Sequence, residues 1–157
     1  MRIFQEKQRS DYEGKTYNLI GLIYHDQGLY AKALEAYQKA LTSFERIGNQ
    51  EGMANSYNDI GSIHYAQGRY VKALEAFQKA LTIYERIGNQ QEIAGCYNNI
   101  GTIHLTQGRY AEALESYQKS LVIKERIGEQ RGIASSYNNI GIIHAKQGRY
   151  TEALYHF

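Results

Sequence analysis

The chain of 157 residues contains no proline, no tryptophan and a single cysteine. Average usage would supply about 8 prolines at this length. Their absence excludes Pro-rich linkers, polyproline segments and collagen-like sequence. One thiol, Cys96, excludes an internal disulfide and any multi-cysteine metal site. Long hydrophobic runs are missing too. Nothing approaches the roughly 18 consecutive apolar residues of a membrane-spanning helix, and residues 1–10 carry no apolar leader core. Charge of one sign is also lacking, since 18 Lys+Arg against 16 Asp+Glu leave +2. The charges interleave, as in Glu112, Glu115, Lys119, Lys124, Glu125 and Arg126, so no basic face for nucleic acid stands out. The expectation is a cytoplasmic protein with no nucleic-acid or membrane partner.

What is present is 15 glycines, 15 tyrosines and 43% hydrophobic residues, enough to build a core. The glycines are periodic. Gly21, Gly61, Gly101 and Gly141 each open one copy of a 40-residue unit, and segments 61–100 and 101–140 agree at 25 of 40 positions. Tyr97-Asn98-Asn99-Ile100-Gly101 returns as Tyr137-Asn138-Asn139-Ile140-Gly141, and Gln107-Gly108-Arg109-Tyr110 returns at Gln67 and Gln147.

Each unit reads as two helices. Tyr97, Ile100, Gly101, Ile103 and His104 share one face at 3.6-residue spacing, predicting a helix near 90–106. Tyr110, Ala113, Leu114, Tyr117, Ser120 and Leu121 trace a second, near 110–126. Gly108 and Gly128 fall where these helices should stop, in the left-handed conformation that glycine tolerates best. Asn49 and Asn89 suit the N-cap, and Glu129 suits it less well. Glu35–Lys39, Glu75–Lys79 and Glu115–Lys119 are favourable i,i+4 pairs worth about 0.3 kcal/mol each. Lys119 and Gln118 recur with the repeat and read as solvated. A mid-helix glycine costs roughly 1 kcal/mol against alanine, so its return at 21, 61, 101 and 141 predicts close helix–helix approach. Gly14 and Gly95 fit no such rule. No period-2 alternation survives, and the fold class is all-α.

On Tyr97, Ile100-Gly101, His104, Gly108, Ala113, Tyr117 and Ser120 the array resembles tetratricopeptide repeats. Two features depart from the usual pattern. The repeat is 40 residues rather than about 34, and it ends Glu-Arg-Ile-Gly rather than in proline. It is similar in this to the longer-helix class of kinesin light chains and Leu-Gly-Asn repeat proteins. The resemblance implies a right-handed α-solenoid of antiparallel helix pairs, a TPR-like superhelix, and a protein-interaction scaffold rather than an enzyme.

Repeat register gives the expected layout of a single array over 1–157. Residues 1–8 are the tail of a second helix, 10–48, 50–88 and 90–128 are whole helix pairs, and 130–157 is a truncated pair. The layout reads as part of a longer array. The half-helices at the two ends are nearly complementary, which suggests head-to-tail stacking with 150–157 of one chain continued by 1–8 of the next.

Catalytic and metal chemistry find no residues. His64, His104 and His144 recur every 40 residues, but stacked repeats separate equivalent points by about 10 Å, too far to share an ion at about 2 Å per bond. They sit on the buried stripe, where packing is the favoured reading. His25 is one residue off their register. Cys96 has no histidine at helical spacing and reads as a structural thiol. No cofactor site is indicated.

Binding has better candidates. The first-helix face opposite the core carries Asn98, Asn99, Thr102 and Leu105 in one copy and Asn138 and Asn139 in the next. Asn55, Asn58, Asp59 and Tyr65 occupy it in an earlier copy, and Lys15, Asn18, Leu22 and Asp26 in the first. The resemblance implies that this face lines a concave groove for extended peptides. Asn18, Asn58, Asn98 and Asn138 then form a ladder whose amides offer both donor and acceptor to a peptide backbone. Two explanations stand at this point: a binding ladder for a peptide or partner helix, or residues copied by repeat duplication in a spacer that assembles through its ends.

Overall fold

The computed structural model describes residues 2–149. They form α1 (Arg2–Asp26), α2 (Tyr30–Ile47), α3 (Gln50–Ala66), α4 (Tyr70–Ile87), α5 (Gln90–Thr106), α6 (Tyr110–Ile127) and α7 (Gln130–Lys146), with no strand among the described residues. The chain divides into two compact units, Met1–Ile87 and Gly88–Phe157. In the first, α1 packs on α2, α2 on α3 and α3 on α4; in the second, α5 packs on α6 and α6 on α7.

The turns form as expected. Gly48 has φ 68° and Gly128 φ 74°, both left-handed. At α2 the Gly48 N–H reaches the Glu45 carbonyl at 3.1 Å and the Asn49 N–H reaches Phe44 at 3.0 Å, the paired closure that satisfies two terminal carbonyls. Asn49 then starts α3, its side chain accepting from the Gly52 N–H at 2.9 Å, and Asn89 does the same for Glu92 at 3.3 Å. Glu129 makes no such side-chain bond at α7. A cap of this kind is worth about 1 kcal/mol.

One expected turn does not form. Where the register places a second-helix tail at 1–8 and a new helix from 10, α1 runs unbroken through Arg2–Asp26. The reason is local. Gln8-Arg9 stands where Gly48-Asn49 and Gly88-Asn89 stand in later copies, so both the left-handed residue and the capping amide are missing. The truncated second helix at 150–157, and the head-to-tail joint it would make, lie outside the described residues.

The core follows the second helices. Ala33, Ala36, Tyr37, Ala40, Leu41 and Phe44 of α2 are buried, as are Ala73, Ala76, Phe77, Ala80, Leu81 and Tyr84 of α4. Small residues between large rings let first helices come close. A Cβ on Gly21 would lie 2.6 Å from the Tyr37 ring, one on Gly61 2.9 Å from Phe77, and one on Gly101 3.0 Å from Tyr117. Gly14 belongs with them, since its Cβ would fall 2.6 Å from Phe44. That was illegible from recurrence because later copies carry Ala54, Ala94 and Ala134 at this register.

Two polar groups depart from the apolar pattern. Lys124 takes the position of Phe44 and Tyr84 and is buried, its Nζ donating over 3.4 Å to the Gly132 carbonyl and 3.3 Å to Ser136 Oγ. Burial holds its ammonium below the usual lysine range, with Glu129 opposing weakly. Ser120, fully buried, donates to the Ala94 carbonyl at 2.8 Å and so ties α6 to α5.

Candidate peptide-binding groove

The first-helix stripe expected to face a ligand is polar and only partly buried. Asn18, Asn58, Asn98, Asn99, Asn139, Thr102, Tyr65 and Leu105 are half-buried, and Asn138 is exposed. Helix packing explains this placement on α3 and α5: their core side carries Ile63 and Ile103, both fully buried, leaving the asparagines outward.

Within the first unit the stripes of α1 and α3 are joined. Ser56 Oγ donates toward Asn18 Oδ1 at 3.1 Å and the Gly52 carbonyl at 2.9 Å, one proton shared between two acceptors. Asn49 Nδ2 donates to Asp11 Oδ1 at 2.8 Å, and Lys15 pairs with the same carboxylate at 2.6 Å. These contacts frame a cleft of about 370 Å³ lined by Lys15, Asn18, Glu51 and Asn55 with Phe44 and Gly52 beneath. Asn55 also accepts the Tyr84 hydroxyl proton at 2.5 Å. Tyr65 does not stand alone: its ring centroid is 5.9 Å from that of Tyr70, tilted 52°.

The second unit repeats the theme with different atoms. Asn139 Nδ2 donates to Asn98 Oδ1 at 3.2 Å, linking α7 to α5. Thr102 Oγ1 bonds the Asn98 carbonyl at 2.9 Å and lies 3.0 Å from the Tyr117 hydroxyl. Leu105 packs against the core cluster of Tyr117, Leu121 and Ile143. The structure therefore brings Asn98, Asn139 and Thr102 into one network, while Leu105 contributes to the core as well as the surface. An amide has two N–H groups and two lone pairs, so a single internal bond leaves each asparagine with capacity for a ligand.

The residues outside the stripe behave differently from one another. His64 and His104 are half-buried, and the Nδ1 atom of each is enclosed without a hydrogen-bond partner. Burial first, then nearby Lys72 and Arg69 for His64 or Arg109 for His104, holds both below the usual histidine range. No group of three or more His, Cys, Asp or Glu among the described residues is placed to hold a metal ion. The recurring lysines are not simply solvated. Lys39, Lys79 and Lys119 lie 5.8, 5.4 and 5.6 Å from the ring centroids of Tyr17, Tyr57 and Tyr97, within cation–π range. Among the described residues no helix is long and apolar enough to cross a membrane.

Three helix pairs among the described residues each set a first-helix glycine against a second-helix ring and leave a polar stripe outward, the architecture of a helical-repeat protein. The tetratricopeptide repeat description matches residues 12–86 and 92–157, and the chain belongs to the tetratricopeptide repeat family. No curated relative matches the sequence. Solved structures share its fold. BtubC (BKLC) from P. vanneervenii superposes with a TM-score of 0.84 at 22% identity, over 94% of this chain and 61% of that one. Aspartyl phosphate phosphatase F from Bacillus subtilis gives 0.88 at 16% identity, over 92% and 38%. The Rap conjugation gene regulator of plasmid pLS20, solved in complex with the Phr* peptide, gives 0.76 at 23%, over 89% and 39%. The chain thus spans about three-fifths of the first of these and about two-fifths of the other two.

Proposed function

We propose that the protein binds an extended peptide, or a partner helix, along the polar stripes of its first helices. The observation that carries this reading is the cleft between α1 and α3, lined by Lys15, Asn18, Glu51 and Asn55. Its amides can meet backbone N–H and C=O groups whatever the ligand's sequence, while flanking charges select among side chains. A regulator of the same fold, the one from pLS20, is a complex with a peptide, which supports the reading by likeness. The ladder Asn18, Asn58, Asn98 and Asn138, with Asn99, Asn139, Thr102, Tyr65 and Leu105 beside it, is the proposed contact set.

A random peptide library displayed against the immobilised full chain tests the reading. Captured peptides should lose affinity about tenfold on Asn98→Ala with Asn138→Ala, the cost of one or two hydrogen bonds, with an unchanged circular dichroism spectrum. Unchanged affinity sinks the ladder.

A second reading has its own observation. Tyr12, Leu19, Leu22 and Ile23 of α1 are 74, 59, 48 and 48% exposed, whereas Ile63, the counterpart of Ile23 on α3, is fully buried. We infer that this open face receives a helix from another chain, giving a self-assembling array joined end to end. Molar mass by light scattering should then rise with concentration.

A further inference from the structure

The seam between α6 and α7 repeats the seam between α2 and α3 in its socket but not in what fills it. In the α2–α3 seam the Phe44 ring is buried, and a Cβ on Gly52 would lie 2.5 Å from it. Ser56, one turn further along α3, is fully buried. The same socket returns at Gly132 and Ser136, in the same register and again buried. Lys124 occupies it in place of a ring. Its alkyl chain lies along Gly132, whose Cβ would fall 2.8 Å from Lys124 Cδ. The ammonium is left with two long bonds, 3.4 Å to the Gly132 carbonyl and 3.3 Å to Ser136 Oγ. An ammonium carries three donors, and N–H···O bonds usually span about 2.7–3.2 Å. No carboxylate pairs with it among the described residues. A buried charge without an ion partner is costly, and that cost is relieved when water reaches it.

Other features of the seam act in the same direction. Asn49 caps α3 through the Gly52 N–H at 2.9 Å, whereas Glu129 makes no side-chain cap on α7. The bond from the Tyr137 hydroxyl to Glu125 at 3.1 Å lies on the exposed side. Apolar contact is carried by Leu121, Ile140 and Ile143. By contrast, α5 and α6 are tied in the core: Ser120 donates to the Ala94 carbonyl at 2.8 Å, and the Tyr117 hydroxyl lies 3.0 Å from Thr102 Oγ1.

We propose that α7 undocks reversibly from α6, pivoting at Gly128 and Glu129, and that this motion opens and closes the groove of the second unit. The link to the groove is direct. Asn138 and Asn139 ride on α7, and the bond from Asn139 Nδ2 to Asn98 Oδ1 at 3.2 Å joins the stripes of α7 and α5. Undocking hydrates the Lys124 ammonium and breaks that bond, so the two walls separate. A peptide that contacts both walls holds the seam shut. This last step rests on the groove reading, whereas the undocking itself does not.

Hydrogen exchange followed by NMR on the full chain tests both parts. Ser136 and Ile143 of α7 match Ser56 and Ile63 of α3 in register, and all four are fully buried. The two α7 amides should nevertheless exchange at least about tenfold faster than their α3 counterparts, through local opening. Lys124→Met keeps the side-chain length and removes the charge, and it should slow the α7 amides about tenfold. Glu129→Asn, the residue at 49 and 89, should slow them about fivefold, the worth of one cap. Equal protection of α7 and α3 in the parent, or unchanged exchange in Lys124→Met, overturns the hinge. A peptide captured from the display library should slow the same two amides further. If captured peptides bind without slowing them, the coupling falls and the hinge stands. If no peptide is captured, the groove reading falls and the two variants alone decide the hinge.

Discussion

His64 and His104 illustrate how a single atom couples this fold to pH. The Nδ1 atom of each ring is enclosed and has no hydrogen-bond partner. A second proton would place a buried N–H⁺ where nothing accepts it. Both side chains accordingly titrate below the usual histidine range, burial being the largest cause. The unfolded chain takes up the proton first, near pH 6.5, so stability is complete above that value and declines as pH falls toward 5. The urea midpoint should be lower at pH 5.5 than at pH 7.5. His64→Tyr with His104→Tyr, borrowing the residue at Tyr24, should remove part of that difference. If the double variant keeps the full drop, the histidines are not its source. Lys124 works in the same direction at a higher pH. Its ammonium is buried on two long hydrogen bonds where earlier copies place a ring, and it titrates below the usual lysine range.

At the level of elements, α1 is the informative exception. The repeat pattern places the later described turns because a left-handed glycine stands at each, whether or not a capping side chain follows, but a pattern built on recurrence also imposes a turn at 8–9, where no glycine is present. The chain obeys local chemistry there: Gln8 and Arg9 are good helix residues, and α1 continues to Arg2. Gln8→Gly with Arg9→Asn should restore the break. The ¹³Cα shifts of residues 7–10 should then move from helical toward turn values, at a cost on the order of 1 kcal/mol for the helix glycine. Helical shifts maintained through residue 8 would show that tertiary contacts, not the missing glycine, hold α1 straight. Legibility in the sequence was uneven for the same reason. The glycine–ring contacts at 21, 61 and 101 could be anticipated from a costly residue returning on schedule. Gly14 could not, since it stands alone, nor could the seating of Lys39, Lys79 and Lys119 over tyrosine rings on the partner helix. The candidate site divides likewise: the asparagine stripe was visible as periodicity. The Ser56–Asn18 and Asn139–Asn98 links between stripes were not, since they depend on how the helices pack.

For the molecule as a whole, contacts run between sequence neighbours in each unit. Stability in such arrays is close to a sum over adjacent interfaces, and local contacts favour fast folding. The open face of α1 is then the place where another interface can be added. If chains assemble through it, Leu19→Lys with Ile23→Lys should hold the protein at monomer mass across concentrations at which the parent grows. These positions are 59% and 48% exposed, so the folded chain accepts the charges. A parent that stays monomeric at all concentrations removes the assembly reading and leaves the groove as the binding surface.

The seven glycines with φ between 68° and 75° at the helix ends share one further property: a Cβ at any of them would meet nothing within 4 Å. Space is open there, and the constraint is purely one of handedness. An L-residue pays about 1–2 kcal/mol to enter that region, whereas its mirror image is at home in it. The turns of this protein are thus sites where the chain is indifferent to size but sensitive to chirality, and a D-alanine at Gly68 or Gly108 would rigidify the unfolded chain while fitting the folded one.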